Sequence, residues 1–235
     1  MSKEIVMIIP SFTPLIGGAE RQLIGLLNHL RFKEYSFRVL TRKVAGTKNF
    51  ERHDKYQINR IGLRIPKIGF PLGLIIFLIK NSRSIAMLHV HTLNFPVLIS
   101  ALFGKIFNVP VIIKVTRSGN GSQIQAFTHG SIRRELFKFM KRNCEFIAIT
   151  EDVRKELMEL NVDNKKITYI PNGVELSKII QDQNMLPTII TFSGRLIKRK
   201  RVDDLIRAFC MIDGYHKHKL QIIGFGPEER KLKGN

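Results

Sequence analysis

The chain alternates short apolar runs with stretches whose apolar residues recur every three or four positions, almost from end to end. Ile5 to Ile9 reads as a buried strand. In the GGAERQLIGLLNHL that follows, Ala19, Leu23, Leu26, Leu27 and Leu30 fall along one side of a helix. Further strand candidates are SFRVL, IAMLHVH, VPVIIKV, EFIAI, ITYI, TIITF and LQIIG, with helical patterns between most of them. Strands that are apolar throughout, separated by helices, indicate an α/β fold with a parallel sheet covered on both faces. The chain holds no internal repeat and no low-complexity tract.

Local signals divide this pattern. In AITEDVRKEL, Thr150 is placed to cap a helix whose first turn carries Glu151 and Asp152, where the helix dipole favours acids. PNG after ITYI is a turn, with Gly173 expected to supply a backbone angle that other residues avoid. The polar VELSKIIQDQNMLP reads as a linker before a new strand–helix–strand unit. The expected organisation is a first domain over 1–173, a linker over 174–187, and the start of a second domain over 188–235.

Composition narrows the setting. The 235 residues carry 39 Lys+Arg against 19 Asp+Glu, a formal charge of +20, and 44% hydrophobic residues, which excludes a disordered chain. Cys144 and Cys210 are too few for a disulfide framework, so a reducing compartment is expected. The longest apolar runs, IGFPLGLIIFLI and FPVLISALFG, fall short of the roughly 20 residues of a membrane-spanning helix. MSKEIVMIIP lacks the features of a signal peptide. The expectation is a cytoplasmic protein whose positive surplus suits polyanionic partners.

Several constellations could carry chemistry. Gly17 and Gly18, between a strand and a helix, would let backbone amides approach an anion; the plain alternative is a flexible turn. In TFSGRLIKRKRVDDLIRAF, Arg195, Lys198, Arg199, Lys200 and Arg201 gather just past a strand's C-terminal end, the edge where open α/β sheets bind ligands. Such cations suit phosphate, although a solvated loop explains them equally well. Val202, Leu205, Ile206 and Phe209 form the apolar stripe of the helix after them. GFGPEE begins like a dinucleotide fingerprint but has Glu229 in place of the third glycine. His89 and His91 share one face of a strand; with no third ligand nearby in sequence, two packed histidines are the better reading than a metal site. A catalytic or acceptor-side role for His91 stays open. The helix SIRRELFKFMKRN has Ile132, Leu136, Phe139 and Met140 on one side and Arg133, Arg134, Lys138, Lys141 and Arg142 around the rest. It reads either as a helix packed on the sheet or as one lying on anionic membrane. No Ser/His/Asp or Cys/His nucleophile arrangement, Walker-type loop or zinc spacing occurs.

In order and spacing, GGAERQLIGLLNHL, MLHVHTLNFP, EFIAITEDVRKEL, ITYIPNGVE, TFSGRLIKRKRVDDLIRAF and LQIIGFGPEERKLK resemble the retaining GT-B glycosyltransferases of family four, over nearly the whole chain. The resemblance implies two Rossmann-like domains. It also implies sugar transfer from a nucleotide-diphosphate donor to a saccharide or lipid-linked acceptor, with no cofactor and no metal. Gly17 and Gly18 would then match the glycine loop near the donor phosphates, and Arg195 and Lys200 the cations that bind the diphosphate. Fixed cations would stabilise the leaving group there.

The chain departs from the family pattern in three places. Arg201 stands where the family usually has glycine. Thr116 replaces a frequent histidine, in a loop with Ser118, Gly119 and Gly121 on the acceptor side. The family's second domain ordinarily continues well past the point matching Gly226, so the chain reads as truncated there. On that expectation it is inactive alone or completed by a second chain. Residues 188–235 by themselves would bury little surface. The runner-up is a non-catalytic basic module that binds an acceptor or anionic membrane at the inner face of the cytoplasmic membrane. A nucleic-acid partner is not expected, since no reader element is present.

Overall fold

In the computed structural model the chain forms two compact units, residues 1–175 and 176–235. Residues 3–175 and 189–234 are described, apart from Arg31, Lys33, Arg64, Pro66, Lys67, Thr92, Asn94, Asn120, Gly121, Gln123 and 126–129. The expected linker therefore lies outside the described residues from 176 onward.

The first unit runs β1 (Lys3–Ile8), α1 (Gly18–His29), β2 (Tyr35–Arg42), β3 (Phe50–Arg52), β4 (Gln57–Ile61), α2 (Gly69–Lys80) and β5 (Ile85–His91). It continues with α3 (Phe95–Phe107), β6 (Val111–Val115), α4 (Ser131–Asn143), β7 (Glu145–Ala148), α5 (Glu151–Glu159) and β8 (Ile167–Tyr169). Its sheet has the order β3-β4-β2-β1-β5-β6-β7-β8, and only β3 is antiparallel. From β1 the chain winds outward to β2 and β4, then crosses back to β5 and winds the other way. The reversal between β1 and β5 is a topological switch point, and the loops at the strands' C-terminal ends gather beside it.

Strand alternation splits the core in two. Ile5, Met7, Ile9, Phe37, Val39 and Ile58 face α1, which buries Leu23 and Leu27 against them. Val6, Ile8, Leu88, Val90, Ile113 and Phe146 face the opposite way, under α2, α3, α4 and α5. The two long apolar runs form α2 and α3, which meet each other, and α3 meets α4. In α4 the inward side is Phe137 and Met140, with Leu136 and Phe139 half-buried. Ile132, expected on that side, is 75% exposed. Thr150 caps α5 as expected, its Oγ1 accepting from Val153 N at 3.3 Å. Gly173 departs from expectation: it does not adopt a positive φ. β3 and β4 lie outside the strand expectations. In QINRI the inward positions are Ile58 and Arg60, and the arginine disguises the buried phase.

The second unit is a parallel pair, β9 (Ile189–Ser193) and β10 (Lys219–Ile223), with α6 (Val202–Cys210) and α7 (Glu229–Lys233). Among its described residues only Leu196 and Val202 are buried; Leu205, Ile206 and Phe209 of the α6 stripe are half-buried.

Candidate functional site

The loops that follow β1, β6 and β8 are held by side chains from elsewhere in the first unit. After β1 the chain is anchored by Phe12, fully buried in the α1-side core. Arg60, 3% exposed at the end of β4, grips the same loop from beneath. Its Nη2 donates to the Thr13 carbonyl at 2.8 Å, and its Nη1 donates to the Lys48 carbonyl at 2.9 Å and to Glu51 Oε1 at 2.6 Å. A planar guanidinium satisfies three segments at once, which a lysine ammonium on a flexible stem would not do in this geometry. The loop ends at Gly17, which precedes α1. The Gly17 amide donates to Glu20 Oε2 at 2.8 Å, and a Cβ at Gly17 would come within 2.7 Å of that oxygen. Gly18 is exposed.

His89 and His91 lie on the α1-facing side of β5, both buried, with ring centroids 4.2 Å apart. Among the described residues neither Nε2 has a hydrogen-bond partner. Burial, reinforced by Lys114, lowers His89 to about 4. Burial, then His89 and Lys114, holds His91 well below its ordinary value. Both imidazoles are therefore neutral near pH 7. Lys114 pairs in register with His91 across β5 and β6, and its own burial lowers its pKa. Among the described residues no group of three or more His, Cys, Asp or Glu is placed to hold a metal.

After β6, Thr116 and Ser118 are half-buried and Gly119 adopts a left-handed φ of 75°. Glu156 of α5 organises this turn: Oε2 accepts from the Gly119 amide at 3.1 Å and Oε1 from the Ser122 hydroxyl at 2.9 Å. The segment after β8 is tied to α1, where Gln22 Nε2 donates to the Gly173 carbonyl at 3.0 Å. Thus Gly17, Gly18, His91, Thr116, Ser118 and Gly119 all belong to one edge of the first unit's sheet. The cations Arg133, Arg134, Lys138 and Arg142 are exposed on α4, with Lys141 half-buried there. Lys141 Nζ donates to the Leu160 carbonyl at 2.8 Å.

In the second unit Arg195 and Lys200 are both exposed, in the segment leaving the C-terminal end of β9. Lys198–Lys200 forms a 3-10 turn that delivers the chain to Arg201 at φ 51° and ψ 44°. Glycine would adopt that left-handed conformation freely, whereas a side chain there costs roughly 1–2 kcal/mol. Arg201 pairs with Asp204 on the first turn of α6. The GFG sequence serves backbone packing. A Cβ at Gly224 would overlap the Gly194 carbonyl oxygen, and one at Gly226 the Leu196 carbonyl oxygen. Leu196 is held through its amide to the Phe225 carbonyl at 3.0 Å and through its carbonyl to the Glu228 amide at 3.1 Å.

Sequence reasoning missed Arg60, Glu20, Gln22, Lys114 and Glu156. Glu20 had a readable signal, since it stands three residues past Gly17 at capping-box spacing. Glu156 had none, because its partners lie 34 and 37 residues away.

A family model described as Glycosyltransferase Family 4 matches residues 16–178, which takes in the glycine turn and every other loop of this edge. The chain belongs to Glycosyltransferase Family 4. An α-galactosylglucosyldiacylglycerol synthase of Streptococcus pneumoniae is 26% identical over 136 residues, covering 51% of this chain and 36% of the relative. The chain thus spans little more than a third of that curated relative. Sucrose-phosphate synthase from Thermosynechococcus elongatus matches with a TM-score of 0.72 at 16% identity, over 99% of this chain and 66% of the other. Anabaena HepE in complex with UDP and glucose matches with a TM-score of 0.66 at 15% identity, over 99% and 64%. The α/β fold with its mostly parallel sheet is that of the GT-B glycosyltransferases.

Proposed function

We propose that this family 4 glycosyltransferase moves a sugar, with retention at the anomeric carbon, from a nucleotide-diphosphate sugar to a saccharide or lipid-linked acceptor in cell-surface glycan synthesis. The observation that carries the reading is the family match across residues 16–178, which contains Gly17, Gly18, His91, Thr116, Ser118 and Gly119. The complex of HepE with UDP and glucose supports a nucleotide-diphosphate donor, and the name of the streptococcal synthase supports a lipid-linked acceptor.

Each residue then has a chemical task. Arg195 and Lys200 hold the diphosphate and offset the charge that develops on it as the glycosidic bond breaks, the work a bound metal does in other transferases. Gly17 and Gly18 offer main-chain amides at the start of α1, where the helix dipole also favours an anion. The neutral His91, at the end of β5, can accept or donate a hydrogen bond to an acceptor hydroxyl without adding charge. Thr116, Ser118 and Gly119 shape the acceptor side.

The test measures UDP binding by calorimetry and sugar transfer or slow donor hydrolysis across a panel of nucleotide sugars. One donor is expected to bind and turn over. The Arg195→Ala/Lys200→Ala variant should lower kcat/KM by roughly 10²-fold or more. Absence of both donor binding and turnover would overturn the proposal and leave a non-catalytic module.

A further inference from the structure

The outer surface of the helix layer formed by α2, α3 and α4 departs most from what its sequence leads one to expect. α2 and α3 are apolar almost all round, and helices of that kind are ordinarily covered on every side. Each buries one side against the sheet, through Leu74 and Leu78 in α2 and Val97 and Ala101 in α3. Among the described residues the outward sides are open. On α2, Leu72, Ile75, Ile76 and Ile79 follow helical spacing and are 36–56% exposed. On α3, Leu102 and Ile106 stand one turn apart at 54% and 65%. Single exposed leucines are ordinary, but apolar stripes on two adjoining helices mark an interaction surface.

Charge says what fits it. α2 and α3 contain no carboxylate, and each has an exposed lysine in its last turn, Lys80 and Lys105. α4, on the far side of α3, turns its aromatic side inward and its cations outward, with Glu135 its single acid. The surface is thus an apolar strip flanked by positive charge.

We infer that this surface seats the protein on an anionic lipid bilayer. The α2 and α3 side chains enter the acyl boundary while the α4 cations lie among headgroup phosphates. A second copy is a poor occupant, because two such surfaces brought together about a twofold axis carry the same sign and no carboxylates on α2 or α3 to answer it. The surface also reaches the edge that carries the candidate site. Phe95, 59% exposed, opens α3 four residues after His91. An acceptor anchored in that bilayer would arrive beside that edge.

Flotation of the full chain with phosphatidylcholine vesicles, with and without phosphatidylglycerol, tests the inference. Binding is expected to be roughly tenfold or more tighter to the phosphatidylglycerol vesicles, and to weaken with salt. Ile76→Ser/Ile79→Ser/Ile106→Ser should lose roughly tenfold or more in binding at every salt concentration with its Tm unchanged, because these positions are already exposed. Arg133→Ala/Arg134→Ala/Lys138→Ala should lose binding mainly at low salt. Vesicle binding by the triple serine variant equal to that of the parent would overturn the inference. So would a dimer in sedimentation velocity that this variant dissolves, which would assign the surface to a second copy. UDP binding measured without vesicles reports on the donor reading alone, so either conclusion can fail without the other.

Discussion

The two units are made from the same local parts and differ in what lies over them. In β1, Ile5 to Ile8 are buried in succession, because α1 covers one side and the α2–α5 layer the other. In β9 and β10 exposed and half-buried residues simply alternate, and no residue of either strand is buried. Yet the second pair has regular parallel register over five residues of each strand, and its loops are hydrogen-bonded to each other. Strand formation and register follow from the local sequence and backbone. Burial is a property of neighbours, and a two-stranded sheet is marginal without them.

Amide exchange should separate the units by the largest margin. Amides of β1, β5 and β6 are expected to exchange roughly 10⁴-fold or more slowly than unprotected ones, through unfolding of the unit. Those of β9 and β10 should stay within roughly 10²-fold of unprotected rates. Equal protection in β5 and β10 would break the comparison. Each unit also carries one cysteine as an independent reporter. Cys210 is exposed and should label at once with a thiol reagent. Cys144, whose thiol is pushed up to about 12 by burial, should label only on unfolding.

Side-chain truncation gives the next largest contrast. Leu88→Ala, at a fully buried position, is expected to cost roughly 2–5 kcal/mol in urea unfolding. Leu205→Ala, half-buried on α6, should cost less than about 1 kcal/mol. A cost above that at Leu205 would reveal a covering layer over the second unit.

Acidification should act on the first unit through His89 and His91. Their folded pKa values lie below the unfolded value, so unfolding takes up protons as pH drops below about 6.5. Stability is full above that value and declines as pH falls toward 4, by at most about 1.4 kcal/mol per pH unit for each imidazole. Urea midpoints at pH 7, 6 and 5 measure the slope. His89→Leu/His91→Leu should flatten it, and an unchanged slope would place the acid sensitivity elsewhere.

The smallest effect is expected in the second unit. Arg201→Gly removes the left-handed side-chain cost but also the exposed pairing with Asp204, for a net change within about 1 kcal/mol. Amides of Val202 to Leu205 should exchange up to roughly fivefold more slowly. Faster exchange would mean that the Asp204 pairing outweighs the backbone cost.

Much of the first unit was legible because apolar periodicity reports burial directly. α1, β1, β5, β6 and the Thr150 cap all stand where their patterns indicated. β4 escaped because its inward Arg60 is held through Nη1 and Nη2 by carbonyls and a carboxylate outside the strand, and a pattern of hydrophobicity does not register that. The face of α4 was misjudged at one residue: its stripe holds Phe137 in place of Ile132. The converse holds in α2 and α3, where apolar sequence does not bring complete burial. In the first unit, Gly17, Gly18 and Gly119 were readable from their type as chain turns. The side chains that brace those turns were mostly not, because Glu156 and Gln22 find their partners only through the fold.

One carboxylate has a further consequence. An anion that reaches Gly17 meets an amide already in use, because its N–H donates to Glu20 Oε2 at 2.8 Å. Binding at that amide is therefore an exchange of one negative group for another, with Glu20 released to solvent. Any net affinity of an anion for that amide would be a difference between two anion affinities. The loop, gripped by Arg60, has no need to move for the swap to occur.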